Sequence, residues 1–176
     1  MRDLSANHYE RAFENWLRDH RVRYVRSDEH KRLGPPSGSV KNFDFLLYPR
    51  ADRKVIVEVK GRTFTGASLA DRTGLECWVT ADDIESLQVW RQALGPDHEA
   101  VFVFAYRVAR MDVDFDGYEA LSVGADRYVF FCIRLDDYVR HMKGRSPKWH
   151  TVTLCADDFR QWATDLASFL LPSNDP

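Results

Sequence analysis

The chain has 176 residues, of which 44% are hydrophobic and 13% are aromatic. That length is enough for one domain with its own core, and the aromatic content excludes intrinsic disorder. Charge is nearly balanced, with 25 Lys and Arg against 27 Asp and Glu, and no apolar run reaches the roughly 18 residues that span a membrane.

The predicted elements begin with one helix and three strands. Apolar residues at helical spacing predict a helix from Tyr9 to about His20. Residues rich in strand formers then predict strands at 22–26, 43–48 and 55–60. Glycine and proline mark an exposed loop at 33–40, and residues 49–53 form a turn short enough to join the last two strands in a hairpin.

A further helix, strands and more helices follow. Thr80 to Asp83 have the pattern of a capping box, and Gly95 with Pro96 ends the helix after it. The remaining predictions are a loop at 61–74, strands at 101–106 and 128–133, a short helix at 136–143, a strand at 149–154, one last helix from Phe159 to Leu170, and a frayed tail at 172–176. This order predicts an α/β fold: a single domain over residues 1–176, with a mixed central sheet flanked by helices.

The near-neutral charge hides an asymmetry along the chain. Residues 1–62 carry fourteen basic and nine acidic side chains, whereas the remainder is acidic. A polyanion would be attracted to the basic end, although a solvated charged face explains the composition equally well. Cys77, Cys132 and Cys155 lack metal-binding spacing, and the N-terminus lacks the apolar segment of a secretion signal. We therefore expect reduced thiols in a cytoplasmic protein that does not enter a membrane.

Three charged residues lie inside the two strands of the predicted hairpin. Asp44 is in the first strand, and Glu58 and Lys60 are two positions apart in the second, so these two face the same side. A hairpin symmetric about Ala51 places Asp44 directly opposite Glu58, with Cβ atoms roughly 5 Å apart. Two carboxylates that close repel each other unless a proton or a cation lies between them, and such oxygen ligands suit Mg²⁺. A lysine beside them completes a site suited to phosphodiester hydrolysis.

Asp44 followed by Glu58-Val59-Lys60 resembles the motif of the PD-(D/E)XK nuclease superfamily. Tyr9-Glu10 resembles the opening helix of Mrr-like restriction nucleases and archaeal-type Holliday junction resolvases. The resemblance implies a restriction-endonuclease-like αβββαβ core over about residues 6–108, with a C-terminal elaboration at 109–171. It also implies a DNA nuclease that depends on Mg²⁺ or Mn²⁺, and it is compatible with a homodimer.

The resemblance further implies roles for individual residues. The metal ligands that it implies are Asp44, Glu58 and the backbone carbonyl of Val59. Lys60 would assist the attacking water. A glutamate on the first helix often completes such sites, which favours Glu10, with Glu14 one turn further along as the rival. The apolar stripe of the helix also places Glu10 near its edge and Glu14 farther into solvent.

Basic residues around the motif are candidates for contacting the DNA backbone. They are Arg23, Arg26, Lys31, Arg32, Lys41 and Arg62. The competing interpretation is a catalytically silent module that binds nucleic acid or a protein, in which Lys60 merely forms an ion pair with Glu58. Both hairpin strands are apolar on both faces, so these charges lie at the end of a buried sheet. That position favours the nuclease interpretation.

Overall fold

The computed structural model describes residues 8–27 and 40–172, and these contain five helices and ten strands. The helices are α1 (His8–Asp19), α2 (Ala81–Leu94), α3 (Leu135–His141), α4 (Ala156–Trp162) and α5 (Leu166–Leu170). The strands are β1 (Arg23–Arg26), β2 (Phe45–Arg50), β3 (Arg53–Phe64), β4 (Val79–Thr80), β5 (His98–Val108), β6 (Leu121–Val123), β7 (Asp126–Arg134), β8 (Lys143–Ser146), β9 (Thr151–Thr153) and β10 (Thr164–Asp165). The predicted loop at 33–40 and the predicted tail at 172–176 lie almost wholly outside the described residues. No helix in the described ranges is both long and apolar enough to cross a membrane.

Seven of the described strands form one mixed sheet in the order β1-β2-β3-β5-β7-β10, with β6 also paired to β7. Only β3 and β5 among these neighbours run parallel. Parallel neighbours need a crossover connection, and α2 lies within the one that joins β3 to β5. The short strands β4, β9 and β8 form a second sheet in the described chain. The predicted α/β fold is confirmed, with β4 added to the expected order just before α2.

Several predicted boundaries shift by two or three residues, and two predictions differ further because of long-range pairing. β3 continues to Phe64, through residues predicted to be loop, because it pairs with β5 from Lys54 to its end. The predicted last helix is two short helices, α4 and α5, because Thr164 and Asp165 between them pair with β7. Asp165 then caps the N-terminus of α5 with its side chain.

The sheet carries a hydrophobic cluster on each face, and β3 contributes to both because its side chains alternate. Val57 and Val59 pack in the cluster that contains the apolar face of α1. Ile56 packs in the cluster that contains the apolar residues of α2. Glu58 and Lys60 have the same parity as Ile56, so the packing places these two charged residues on the α2 side of the sheet.

The start of α1 approaches β3 closely at Gly61. A Cβ atom on Gly61 would lie 2.0 Å from the Tyr9 ring, which is far inside contact distance. Tyr9 is in the first turn of α1 beside Glu10, and Gly61 directly follows Lys60 on β3. The glycine therefore permits the short separation between the start of α1 and the charged end of β3.

We expect Gly61→Ala to destabilise the protein by about 1–3 kcal/mol, because the new methyl group forces the Tyr9 ring or the helix to move. Denaturant unfolding of Gly61→Ala, Tyr9→Ala and the double variant would measure the coupling between the two sites. In the double variant the added methyl group should cost much less, since the ring that it strikes is gone. Additive effects of the two substitutions would contradict the close approach.

Candidate active site

Asp44 lies just before β2, with part of its surface open to solvent. Its backbone N–H donates to the Val57 carbonyl at 3.0 Å. Its side-chain Oδ2 accepts a hydrogen bond from the Val59 N–H at 2.7 Å. The pairs Phe45–Val57, Leu46–Ile56 and Leu47–Val55 have the register that hairpin symmetry predicts, but β2 begins at Phe45, so the prediction that Asp44 lies inside this strand is wrong.

Glu58 and Lys60 form an ion pair on the α2 side of β3. Glu58 is only 4% exposed, which makes its charge costly unless it is compensated. The Lys60 Nζ lies 2.9 Å from Glu58 Oε1 and 2.7 Å from Oδ2 of Asp83. The ion pair of the silent-module interpretation is thus present, but it belongs to a larger network.

A second ammonium group faces the same two carboxylates. The Lys41 Nζ lies 2.7 Å from Glu58 Oε1 and 2.8 Å from Asp83 Oδ1. The Trp90 indole N–H donates to the Lys41 carbonyl at 2.9 Å and holds this segment against α2. Lys41, Glu58, Lys60 and Asp83 therefore form a ring in which positive and negative charges alternate. We call these four residues the charge ring.

Asp83 is the member of the charge ring that the sequence pattern does not identify as a site residue. The pattern from Thr80 to Asp83 predicts a helix cap, and that cap is present: Asp83 N–H donates to Thr80 Oγ1 at 3.1 Å, and Thr80 N–H donates to Asp83 Oδ2 at 3.0 Å. The same carboxylate also accepts the two lysines. A capping pattern contains no sign of this second role, because Lys41 and Lys60 lie far away along the chain.

The charge ring favours the charged forms of Asp83 and Lys41. Burial alone would raise the pKa of Asp83, but the Lys60 ammonium and the hydrogen bonds from Lys41 and Lys60 outweigh it, so the pKa lies well below its usual value. Burial works to lower the pKa of Lys41, but the Glu58 charge and the hydrogen bonds to Asp83 and Glu58 raise it overall. Since the folded pKa of Asp83 is depressed, its contribution to stability is present above its unfolded pKa and is lost as the pH falls.

Asp44 lacks this degree of compensation. Burial raises its pKa well above the usual value, and the charges of Glu58 and Glu10 raise it further. The Val59 N–H and the Lys60 ammonium oppose that rise without overcoming it. The corner between α1, β2 and β3 therefore holds surplus negative charge when Asp44 is ionised.

The two glutamates of α1 have different surroundings. The Glu10 Oε2 lies 2.7 Å from Arg26 Nη2, and the Glu10 charge acts on Asp44. Glu14 accepts the Tyr24 hydroxyl at 2.7 Å and faces the Arg26 Nη1 at 3.4 Å. The prediction that Glu14 lies farther into solvent is wrong: its side chain is 16% exposed against 22% for Glu10, because β1 covers it. Glu10 remains the glutamate with an electrostatic link to Asp44.

The carboxylates of Asp44, Glu58 and Glu10 are suitable ligands for a divalent cation, although they do not form a preorganised metal site. In residues 8–27 and 40–172, no three His, Cys, Asp or Glu side chains converge closely enough to hold a metal ion as they stand. Glu58 Oε1 is occupied by Lys41 and Lys60. Burial and the charges of Glu58 and Glu10 nevertheless raise the pKa of Asp44, and carboxylate oxygens are the ligands that Mg²⁺ prefers.

The other residues predicted to contact DNA are dispersed. Lys31 and Arg32 lie outside the described residues, and Arg23 is exposed on β1. Arg26 is bound to the α1 glutamates. Arg62 donates to two backbone carbonyls of its own chain, so its guanidinium is already engaged within the fold.

We expect Asp44→Asn to raise the melting temperature of the metal-free protein above about pH 5. A carboxyl group with a raised folded pKa favours the folded state when protonated, and that advantage is lost as the pH rises through its folded pKa. The neutral amide removes this loss while its oxygen still accepts the Val59 N–H. Thermal unfolding in EDTA across the pH range would measure the gain, at about 2–4 °C per kcal/mol for a chain of this size. A lower melting temperature at neutral pH would show that Asp44 is adequately compensated.

The fold is similar to that of a protein of known structure. It matches Hjc, a Holliday junction resolvase from the archaeal hyperthermophile Archaeoglobus fulgidus, with a TM-score of 0.54. The match covers 93% of this chain and 98% of that chain, at 15% sequence identity. No protein-family model matches the chain, and no curated protein matches it. At this identity the likeness shows the fold alone, and that fold is restriction-endonuclease-like, as the sequence resemblance implies.

Proposed function

We propose that this protein is a metal-dependent nuclease that hydrolyses phosphodiester bonds in DNA. The observation that carries the proposal is that Asp44 accepts the N–H of Val59, the residue between Glu58 and Lys60, where burial and the charges of Glu58 and Glu10 raise the pKa of Asp44. The likeness to a Holliday junction resolvase supports the same class of activity.

The metal would be held by carboxylate and backbone oxygens from three elements. These are Asp44, Glu58, the carbonyl of Val59 and Glu10. When bound, Mg²⁺ or Mn²⁺ would polarise the scissile phosphate and lower the pKa of a bound water. Its charge would also favour the ionised form of Asp44, whose pKa is raised by burial and by the charges of Glu58 and Glu10.

We assign to Lys60 the direct contact with the reacting groups. Its ammonium would orient the attacking water or stabilise charge that builds on the phosphoryl oxygens. Asp83 is a positioning residue, because its carboxylate binds the Lys60 ammonium independently of Glu58. When Glu58 turns toward a metal, Asp83 would keep Lys60 in place.

One observation favours the second candidate, a silent module that binds nucleic acid. Lys41 and Lys60 both occupy Glu58 Oε1, so the charge ring is internally neutralised without a metal. If that arrangement is permanent, the corner is a structural ion network. For Glu58 to bind a metal, the Lys41 ammonium would have to move away from Glu58 Oε1.

We expect the purified protein to cleave DNA in Mg²⁺ or Mn²⁺ and not in EDTA, and we expect Lys60→Ala to lose at least about 100-fold of that activity. The panel is supercoiled plasmid, linear duplex, single strand and a four-way junction. Lys54→Ala is the matched control, since Lys54 lies on the same strand six residues before Lys60. Equal activity of Lys60→Ala and the wild type would refute the assigned mechanism.

We also expect Mn²⁺ to raise the melting temperature of the wild type and to have little effect on Asp44→Asn. Metal that binds only the folded state stabilises it by mass action, by about 2.7 kcal/mol at a hundred times the dissociation constant. Asp44→Asn retains the shape of the site. If this variant shows no rise in melting temperature with Mn²⁺, the carboxylate charge is what binds the metal. A wild-type melting temperature that no metal changes would favour the silent module.

A further inference from the structure

The turn between β8 and β9 carries an unusual group of exposed side chains. We call residues 143–153 the basic hairpin. It contains three basic residues, Lys143, Arg145 and Lys148, and no acidic residue, although it lies in the acidic part of the chain. Trp149, at the tip, is 67% exposed, and its neighbours Lys148 and His150 are exposed too.

The basic hairpin is attached directly to the candidate active site. Thr151 in β9 pairs with Thr80, and the Ala81 N–H donates to the His150 carbonyl at 2.8 Å. Ala81 begins α2, whose first turn contains Asp83 of the charge ring. Ala81, which bonds to the hairpin, is therefore two positions along the chain from Asp83, the carboxylate that holds Lys60.

A stack of cations on an indole ring forms a second link. Arg62 follows Lys60 by two residues on the same face of β3, and its guanidinium lies 3.9 Å from the centroid of the Trp78 ring. The guanidinium of Arg145 lies 5.0 Å from the same centroid. Trp78 thus contacts one cation from β3, Arg62, and one from the basic hairpin, Arg145.

We propose that the basic hairpin binds an unpaired segment of nucleic acid, with Trp149 stacked on an exposed base and Lys148 and Arg145 on the adjacent phosphates. An exposed indole offers a stacking surface for any base, and neighbouring cations hold the backbone. The Lys148 Nζ lies 5.1 Å from the Trp149 ring centroid, so one nucleotide can meet both groups. Because a duplex buries its bases in the stack, the hairpin selects DNA with an unpaired or unstacked region.

The choice of nucleic acid over a protein partner rests on the surroundings of Trp149. An apolar docking patch needs apolar neighbours, whereas both chain neighbours of Trp149 are polar and exposed. The charge of the hairpin is uniformly positive, which suits a polyanion. The inference rests on the proposed function for the kind of substrate, but it concerns binding and not the chemical step.

The test is a binding experiment in EDTA, in which no cleavage occurs. Fluorescence anisotropy would compare a labelled single-stranded oligonucleotide with the blunt duplex of the same length. We expect Trp149→Ala to weaken single-strand binding about tenfold, the effect of one lost base stack, and to change duplex binding by less than about twofold. Trp149→Tyr should restore most of the lost affinity. Met111→Ala is the matched control, because Met111 is also a large apolar residue and is 83% exposed.

The salt dependence gives an independent readout for Lys148. Loss of one phosphate contact lowers the slope of log affinity against log salt by about 0.7 for a single strand. Lys148→Ala should show that reduction, while Trp149→Ala should keep the wild-type slope. Each variant's melting temperature would confirm that it is folded.

The outcomes separate this inference from the proposed nuclease activity. Loss of single-strand binding in Trp149→Ala supports the hairpin's role even if the cleavage panel is silent, in which case only the nuclease proposal fails. Single-strand affinity of Trp149→Ala equal to that of the wild type overturns the inference, whether or not the protein cleaves DNA. Failure of the wild type to bind a single strand overturns it as well.

Discussion

The charge ring is the interaction on which the arrangement of the site depends, because it joins the sheet to the helix layer above it. Glu58 belongs to β3 and Asp83 to α2, and both carboxylates are buried. Burial of two carboxylates is tolerable only because Lys41 and Lys60 each contact both of them. Removal of any one member leaves an uncompensated charge, so the ring fixes how the first turn of α2 meets the end of β3.

The negative charge of Asp44 is less well compensated than the charges of the ring. This difference is what makes the corner between α1, β2 and β3 a candidate cation site. Four charges in the ring neutralise one another, whereas Asp44 faces Glu58 and Glu10 with less positive charge nearby. A fold optimised for stability alone would place a neutral residue there, since a partly buried carboxylate with a raised pKa opposes folding once it is ionised. Retaining it is understandable where a cation arrives to satisfy it, as expected where function conflicts with stability.

Local patterns in the sequence predict the parts of the site that depend on one hairpin. The alternation of side chains along β3 is enough to put Glu58 and Lys60 on one face, and the symmetry of the turn gives the register from Phe45–Val57 to Leu47–Val55. The charge ring could not be predicted in this way, since Asp83 and Lys41 are 42 positions apart and meet only after α2 packs on the sheet. The extension of β3 to Phe64 and the break between α4 and α5 likewise depend on strands distant in the chain.

The second sheet explains how the C-terminal part of the chain reaches the site without contributing to the charge ring. β4 precedes α2 directly, and its partner β9 comes from the C-terminal part. The Tyr138 hydroxyl donates to the Cys77 carbonyl at 2.7 Å, and so ties α3 to the segment before β4. The N-terminus of α2 is also bonded, at Ala81, to His150 directly before β9, and Asp83 in the same helical turn binds the Lys60 ammonium. The same attachment that presents the basic hairpin beside the site therefore also supports the lysine within it.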